Sequence, residues 1–165
     1  MDYMSCLPSS KRGNDCVFVV VDRFSKMSIL IPCKKNIIVE AMTKLFFEHV
    51  WVHFRLPQTI ILYKDNMFLN TFWYRLWSLL DTKLPKSTAF HPQTDGQIKV
   101  VNWMVMHILR MYKSKHPWTW GDILPYVQHN YNKFIHNSTS HSPFQVGLGF
   151  EPLGPIDVDL PLASI

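Results

Sequence analysis

Polar and apolar positions along this chain change period several times, and each change marks an element. Cys16–Val21, CVFVVV, is an unbroken apolar run enriched in β-branched residues, which predicts a strand covered on both faces. The polar residues Asp22, Arg23 and Lys26 make a turn into residues 27–33, MSILIPC, the expected hairpin partner. Residues 39–54 carry Met42, Leu45, Phe46, Val50 and Phe54 mostly on one side of a helix. Residues 57–63, PQTIILY, read as another strand, 71–80 as an aromatic-rich helix whose Trp73 and Trp77 belong to a core, and 83–89 as a short strand. A turn containing Pro92 follows. Thr94 and Gln97 then have capping-box spacing, and the helix they open presents Ile98, Val101, Val105, Ile108 and Tyr112 as one stripe. A last long helix offers Ile123, Leu124, Val127, Tyr131 and Phe134 for packing. With a short strand at the chain start, the order is β, β, β, α, β, α, β and then helices, an α/β arrangement.

The 165-residue length suits one domain, and 47% hydrophobic with 14% aromatic residues argues against disorder. Residues 1–150 form the expected domain and 151–165 a Pro- and Leu-containing tail or linker. No apolar run approaches the roughly 20 residues of a membrane span, and the start has no signal-like core, so the expectation is a protein of the nucleus or cytoplasm that is not secreted. Cys6, Cys16 and Cys33 are odd in number and far apart, which disfavours a disulfide framework or a metal knuckle. A net charge of +5 agrees with a polyanionic partner but is common among ordinary proteins. His49 and His53 have the spacing to bind a metal from one helical face, yet no third ligand lies nearby, and surface histidines are the favoured reading.

Several ordered motifs add to this. HPQTDGQ at 91–97, followed by VVN and a long amphipathic helix, resembles the last catalytic segment of the integrase core of gypsy-type LTR retrotransposons, particularly those of plants. The opening MDY with a following Leu-Pro, VVVDRFSK with IPCKK, and the segment NYNKFIHNSTSHSPFQVGLGF resemble the same family in order, so the likeness covers essentially the whole chain. It implies a ribonuclease-H-like fold: a five-stranded mixed sheet, three antiparallel strands and then two parallel ones, flanked by helices. The family's first strand begins several residues before its aspartate, so the resemblance also implies a truncated first strand here.

The resemblance assigns chemistry residue by residue. Asp2 stands at the first metal-ligand position. Phe68, Phe72 and Trp73 align the segment after the 57–63 strand, which puts Tyr63 at the second acid position and Asp65 at a non-catalytic aspartate. Lys99 occupies the place of the glutamate. The 35 residues lying between positions 63 and 99 match the family interval independently. Asp22 falls where the family has no catalytic acid and is assigned to the turn.

Integration of retroelement DNA is phosphoryl transfer, in which two divalent ions about 3.5–4 Å apart stabilise the attacking and leaving oxygens. The family uses Mg²⁺ or Mn²⁺, and magnesium requires hard oxygen ligands in near-octahedral geometry. A tyrosine whose reference pKa is about 10 is a poor ligand at neutral pH, and a lysine ammonium has no lone pair. Asp65 is no substitute, because it lies about 6.6 Å further along an extended strand. The expectation is a core with one matching acid that does not bind metal productively. Nucleic-acid contacts are expected from His91, Gln93, Thr94, Gln97 and Lys99, with Lys83, Lys86, Arg110 and Lys113, against the plainer reading of a solvated basic surface. Two readings stand: a polynucleotidyl transferase by descent, or a non-enzymatic basic module that binds DNA or forms a homodimer. Neither involves a membrane or a small-molecule substrate.

Overall fold

The computed structural model describes residues 1–5, 7–54, 66–80, 96–113 and 118–154; side chains 66–70, 73, 77, 96–97 and 111–113 are outside the description. Within these residues lies a three-stranded antiparallel sheet in the order β1 (Asp2–Met4), β2 (Cys16–Val21), β3 (Ser28–Cys33). The strands expected at 57–63 and 83–89 lie outside the described residues; of the five strands expected, the three antiparallel ones are observed.

Strand parity explains the layers. Successive side chains of a strand point to opposite faces, and every side chain of β2 except Val21 is buried. Cys16, Phe18 and Val20, with Ile29, Ile31 and Cys33 of β3, face α1 (Val39–Phe46) and α2 (Asn66–Leu79), where Met42, Phe46, Phe72 and Leu76 complete one cluster. Val17, Val19, Met4 and Leu30 face the other way. There they meet α3 (Gly96–Lys113) and α4 (Trp120–Lys133) through Ile98, Val101, Val105, Leu109, Trp120, Leu124, Val127 and Tyr131. The strand covered on both faces is therefore observed.

Several expectations shift in detail. The helix beginning at Val39 passes after Phe46 into a π-helical turn, Phe47–Trp51. Its buried apolar positions are Met42, Phe46 and Val50, four apart, with Thr43 buried beside Met42. The α3 stripe continues from Val105 to Leu109, which is buried, whereas Ile108 only packs against the cluster from its edge. Phe134 is not core: it is 66% exposed, because it follows the last helical residue with φ −72° and ψ 140° and so leaves the helix frame. At the other end of α4, Trp120 is core: it is 2% exposed, and its indole Nε1 donates to the Pro8 carbonyl at 2.8 Å.

Polar contacts fix the connections. The Asp22 carboxylate accepts from the Ser25 amide and the Ser25 hydroxyl, both at 2.7 Å, so it is a turn residue as expected. On the outer side of β3, the Ser28 N–H donates to Asn132 Oδ1 at 2.8 Å and Asn132 Nδ2 donates back to the Ser28 carbonyl at 2.9 Å. The Leu30 N–H donates to Gln128 Oε1 at 2.8 Å. Two positions on, Pro32 has no N–H to satisfy. Two amides one turn apart on α4 thus complete the edge of β3 as a further strand would. The sequence signal overlooked most plainly is α5 (Pro143–Leu148): Ser142 and Gln145 form a reciprocal capping box, Pro143 takes the first turn, and Gly149 closes the helix at φ 81°. Just beyond it, Glu151 accepts from the Ser142 hydroxyl at 3.0 Å.

Candidate functional site: the Asp2–Asn102 contact

β1 is short, but its parity is set by its neighbours. Tyr3 pairs with Phe18 and stacks on its ring at 5.2 Å on the α1 and α2 side, while Met4 is buried on the α3 side. Asp2, two residues before Met4, therefore projects toward α3. Its Oδ1 accepts from the Tyr3 N–H at 2.8 Å, and its Oδ2 accepts from Asn102 Nδ2 at 2.7 Å.

Asn102 is the asparagine of the VVN run, and its role as the partner of Asp2 was not foreseen from the sequence. The available signal was its position three residues after Lys99, on the same helical face. Among the described residues, its buried Oδ1 finds no hydrogen-bond partner. Turning the amide over would bring that oxygen to Asp2 in place of the nitrogen, which would be favourable only with a cation or proton between them.

The other expected site residues are distributed as follows. Lys99 and Arg110 are on α3 and exposed. Gln97 and Lys113 belong to the same helix, but their side chains are not described. Tyr63, Asp65, Lys83, Lys86, His91, Gln93 and Thr94 lie outside the described residues, as does the expected Thr94 cap. His49 and His53 are both exposed, in keeping with surface histidines. Among the described residues, no group of three or more His, Cys, Asp or Glu side chains is placed to hold a metal ion. Among the described residues, the chemistry around Asp2 is one carboxylate and one amide oxygen, with a lysine one turn before that amide. A two-ion centre needs several anionic oxygens converging on each ion, more than these residues supply by themselves.

Deeper in the sheet, burial dominates the titratable groups. The Cys33 thiol is pushed far up by its hydrogen bond with the Cys16 thiol and then by burial, and Tyr3 is raised by burial and by both thiols. Neither cysteine is in a disulfide. Burial raises Tyr131 to about 12, and its hydroxyl lies 3.2 Å from His136 Nε2.

This arrangement of sheet and helices matches solved structures. The catalytic core domain of HTLV-2 integrase in complex with magnesium, in a trimeric form, superposes with a TM-score of 0.60 at 16% identity, covering 88% of this chain and 95% of that one. Its dimeric form gives 0.59 at 15% identity, over 88% and 94%. The chain carries the integrase catalytic-core fold. Its ribonuclease-H-like class is the one expected from the sequence.

By sequence, the integrase-core-like chain is 38% identical over 159 residues to the Transposon Tf2-3 and Tf2-4 polyproteins of Schizosaccharomyces pombe. The match covers 96% of this chain and 12% of each polyprotein, so the chain spans a small part of their length. No family model matches it. No helix among the described residues is long and apolar enough to cross a membrane.

Proposed function

We propose that this chain is the integrase core-like segment of a gypsy-type LTR-retrotransposon polyprotein, able to engage DNA but no longer able to catalyse its integration. The observation that carries the reading is the face of α3 beside Asp2. Asn102 grips the one acid that matches the family, and one turn earlier the position of the family glutamate carries an exposed lysine. An ammonium there repels a divalent cation rather than binding it. Tyr63 at the second acid position supports the same conclusion from the sequence. In this reading Mg²⁺ or Mn²⁺, which in an intact centre would stabilise the attacking and leaving oxygens, is not held productively. Asp2 ties β1 to α3, and the exposed Lys99 and Arg110 give α3 a basic face for phosphate.

The alternative from descent is an active polynucleotidyl transferase. It is supported by the similarity to transposon polyproteins and by a magnesium-bound relative of the fold. The dimeric and trimeric HTLV-2 forms lend support to self-association, and a homodimer acting in the nucleus or cytoplasm belongs to the same proposal.

The deciding experiment is a strand-transfer and end-nicking assay in Mg²⁺ and in Mn²⁺, on this chain and on the Tyr63→Asp, Lys99→Glu double variant. Inactivity of the unaltered chain with activity in the double variant is the expected result. Metal-dependent activity of the unaltered chain would overturn the proposal and direct attention to Asp65.

A further inference from the structure

One arc of α3 takes no part in the core, and only Lys99 at its edge borders the face that carries Asn102. Ile98, Val101, Val105 and Leu109 point into the packed cluster. On the opposite arc, Lys99, Val100, Trp103, His107 and Arg110 are all exposed. Trp103 is 69% exposed, and its ring stacks on His107 with centroids 5.5 Å apart and planes 14° from parallel. A tryptophan is among the costlier side chains to leave in water, and its burial would remove a large apolar area.

We propose that the Trp103–His107 pair is a stacking platform for unpaired bases, with Lys99 and Arg110 at its two ends holding the phosphates of the same strand. This deepens the nucleic-acid reading above and rests on it. Three observations select the occupant. First, α3 carries Lys99, Arg110 and Lys113 and no Asp or Glu along its whole length, so its charge complements a polyanion. Second, the 11 residues from Lys99 to Arg110 rise roughly 16 Å, room for a few nucleotides of one strand between the two cations. Third, a flat aromatic pair recognises the π-face of a base, which a duplex hides within its stack and a single strand leaves open. A second copy of the chain fits less well. In an antiparallel two-fold pairing of α3 with itself, Lys99 would approach Arg110 of the other copy, and α3 has no acid to answer either.

The test is fluorescence polarisation of labelled oligothymidylate and of a labelled duplex, titrated with the full chain and with its Trp103→Ala, Trp103→Phe and Lys99→Ala/Arg110→Ala variants. Each variant is checked for an unchanged unfolding transition and for its mass in solution. Loss of one base stack weakens single-strand binding by roughly 5- to 100-fold. Trp103→Ala is expected to show that loss on the single strand and less than about a twofold change on the duplex, since phosphate contacts alone serve the duplex. Trp103→Phe keeps most of the affinity, and the double cation variant weakens both ligands with a shallower salt dependence.

Binding to both ligands that is indifferent to Trp103→Ala, or that falls equally for both, overturns the platform and leaves the nucleic-acid reading standing. Binding to neither ligand by the unaltered chain overturns both. A dimer that Trp103→Ala converts to monomer reassigns this face to self-association and also overturns the platform.

Discussion

Asn132 is the side chain whose removal should cost this fold most for its size. It is 1% exposed and satisfies both backbone groups of Ser28, at 2.8 and 2.9 Å. In Asn132→Ala the Ser28 N–H and carbonyl stay buried between β3 and α4 without partners. A buried polar group left unpaired costs about 1–3 kcal/mol, so the two together amount to roughly 2–5 kcal/mol once some water entry is allowed. Against a typical domain stability of about 5–15 kcal/mol, that is a large share. Gln128→Ala is the internal control. It removes one acceptor, for Leu30, from a half-buried position that water reaches more easily, and should cost nearer 1 kcal/mol. Urea unfolding followed by far-ultraviolet circular dichroism gives both values, and amide hydrogen exchange localises them to Ser28 and Leu30. If Asn132→Ala loses less than about 1 kcal/mol while the Ser28 amide keeps its protection, the edge of β3 is closed by something other than these amides and the reasoning fails.

Two further effects follow from burial. Tyr131 ionises near 10 in an unfolded chain and near 12 in the folded one. Below pH 10 both states keep the proton and its contribution is fully present. Between 10 and 12 only the unfolded state releases it, so stability falls as pH rises, by up to about 2–3 kcal/mol. The alkaline unfolding curve of Tyr131→Phe should be shallower than that of the parent, not flat, because burial of Tyr3 acts in the same direction; superimposable curves would refute the assignment. Cys16 and Cys33 face each other across β2 and β3 as buried thiols, and the protonated form of Cys33 is strongly favoured. Mass-spectrometric mapping after alkylation should find both modified only as fast as the chain unfolds; labelling at the rate of the denatured protein would contradict that burial.

What was legible in the sequence was whatever a local pattern encodes. The six apolar residues of β2 fixed its bounds, and the polar Asp22 turn led to β3 with an error of one residue at its start. Asn132 and Gln128 were not legible as an edge clamp, because their partners lie 104 and 98 residues away. Periodicity treats polar residues on a helix as surface. Leu109 was passed over for Ile108, and Phe134 was misplaced, for a related reason: a stripe drawn at spacings of three and four cannot tell which branch a helix will bury, or that the chain turns extended at Phe134. The α5 cap was the opposite case, a complete local signal on a helix too short for periodicity to reveal. At the candidate site, the resemblance singled out Asp2 and Lys99 by motif alone, whereas the Asp2–Asn102 hydrogen bond needed the packing of α3 against β1.

In the proposed reading, position 99 exchanged an acid for a lysine while the scaffold survived, and the geometry of α3 is compatible with that exchange. Lys99 lies on the exposed arc of α3, with no part in either core cluster. Surface substitutions away from caps and networks usually change stability by less than about 0.5 kcal/mol, so the fold itself places no demand for an acid there. Asp2 differs, because its two carboxylate oxygens answer the Tyr3 amide and Asn102, joining the three-residue β1 to α3. In Asp2→Ala the Asn102 amide, whose Oδ1 already lacks a donor among the described residues, loses its other contact as well, at a cost of about 1–3 kcal/mol. Urea titrations of Lys99→Glu and Asp2→Ala separate the two demands: the first should be nearly neutral and the second clearly destabilising. A Lys99→Glu variant that loses more than about 1 kcal/mol would mean that the lysine supports the fold, and that its presence beside Asp2 is structural rather than a mark of lost chemistry.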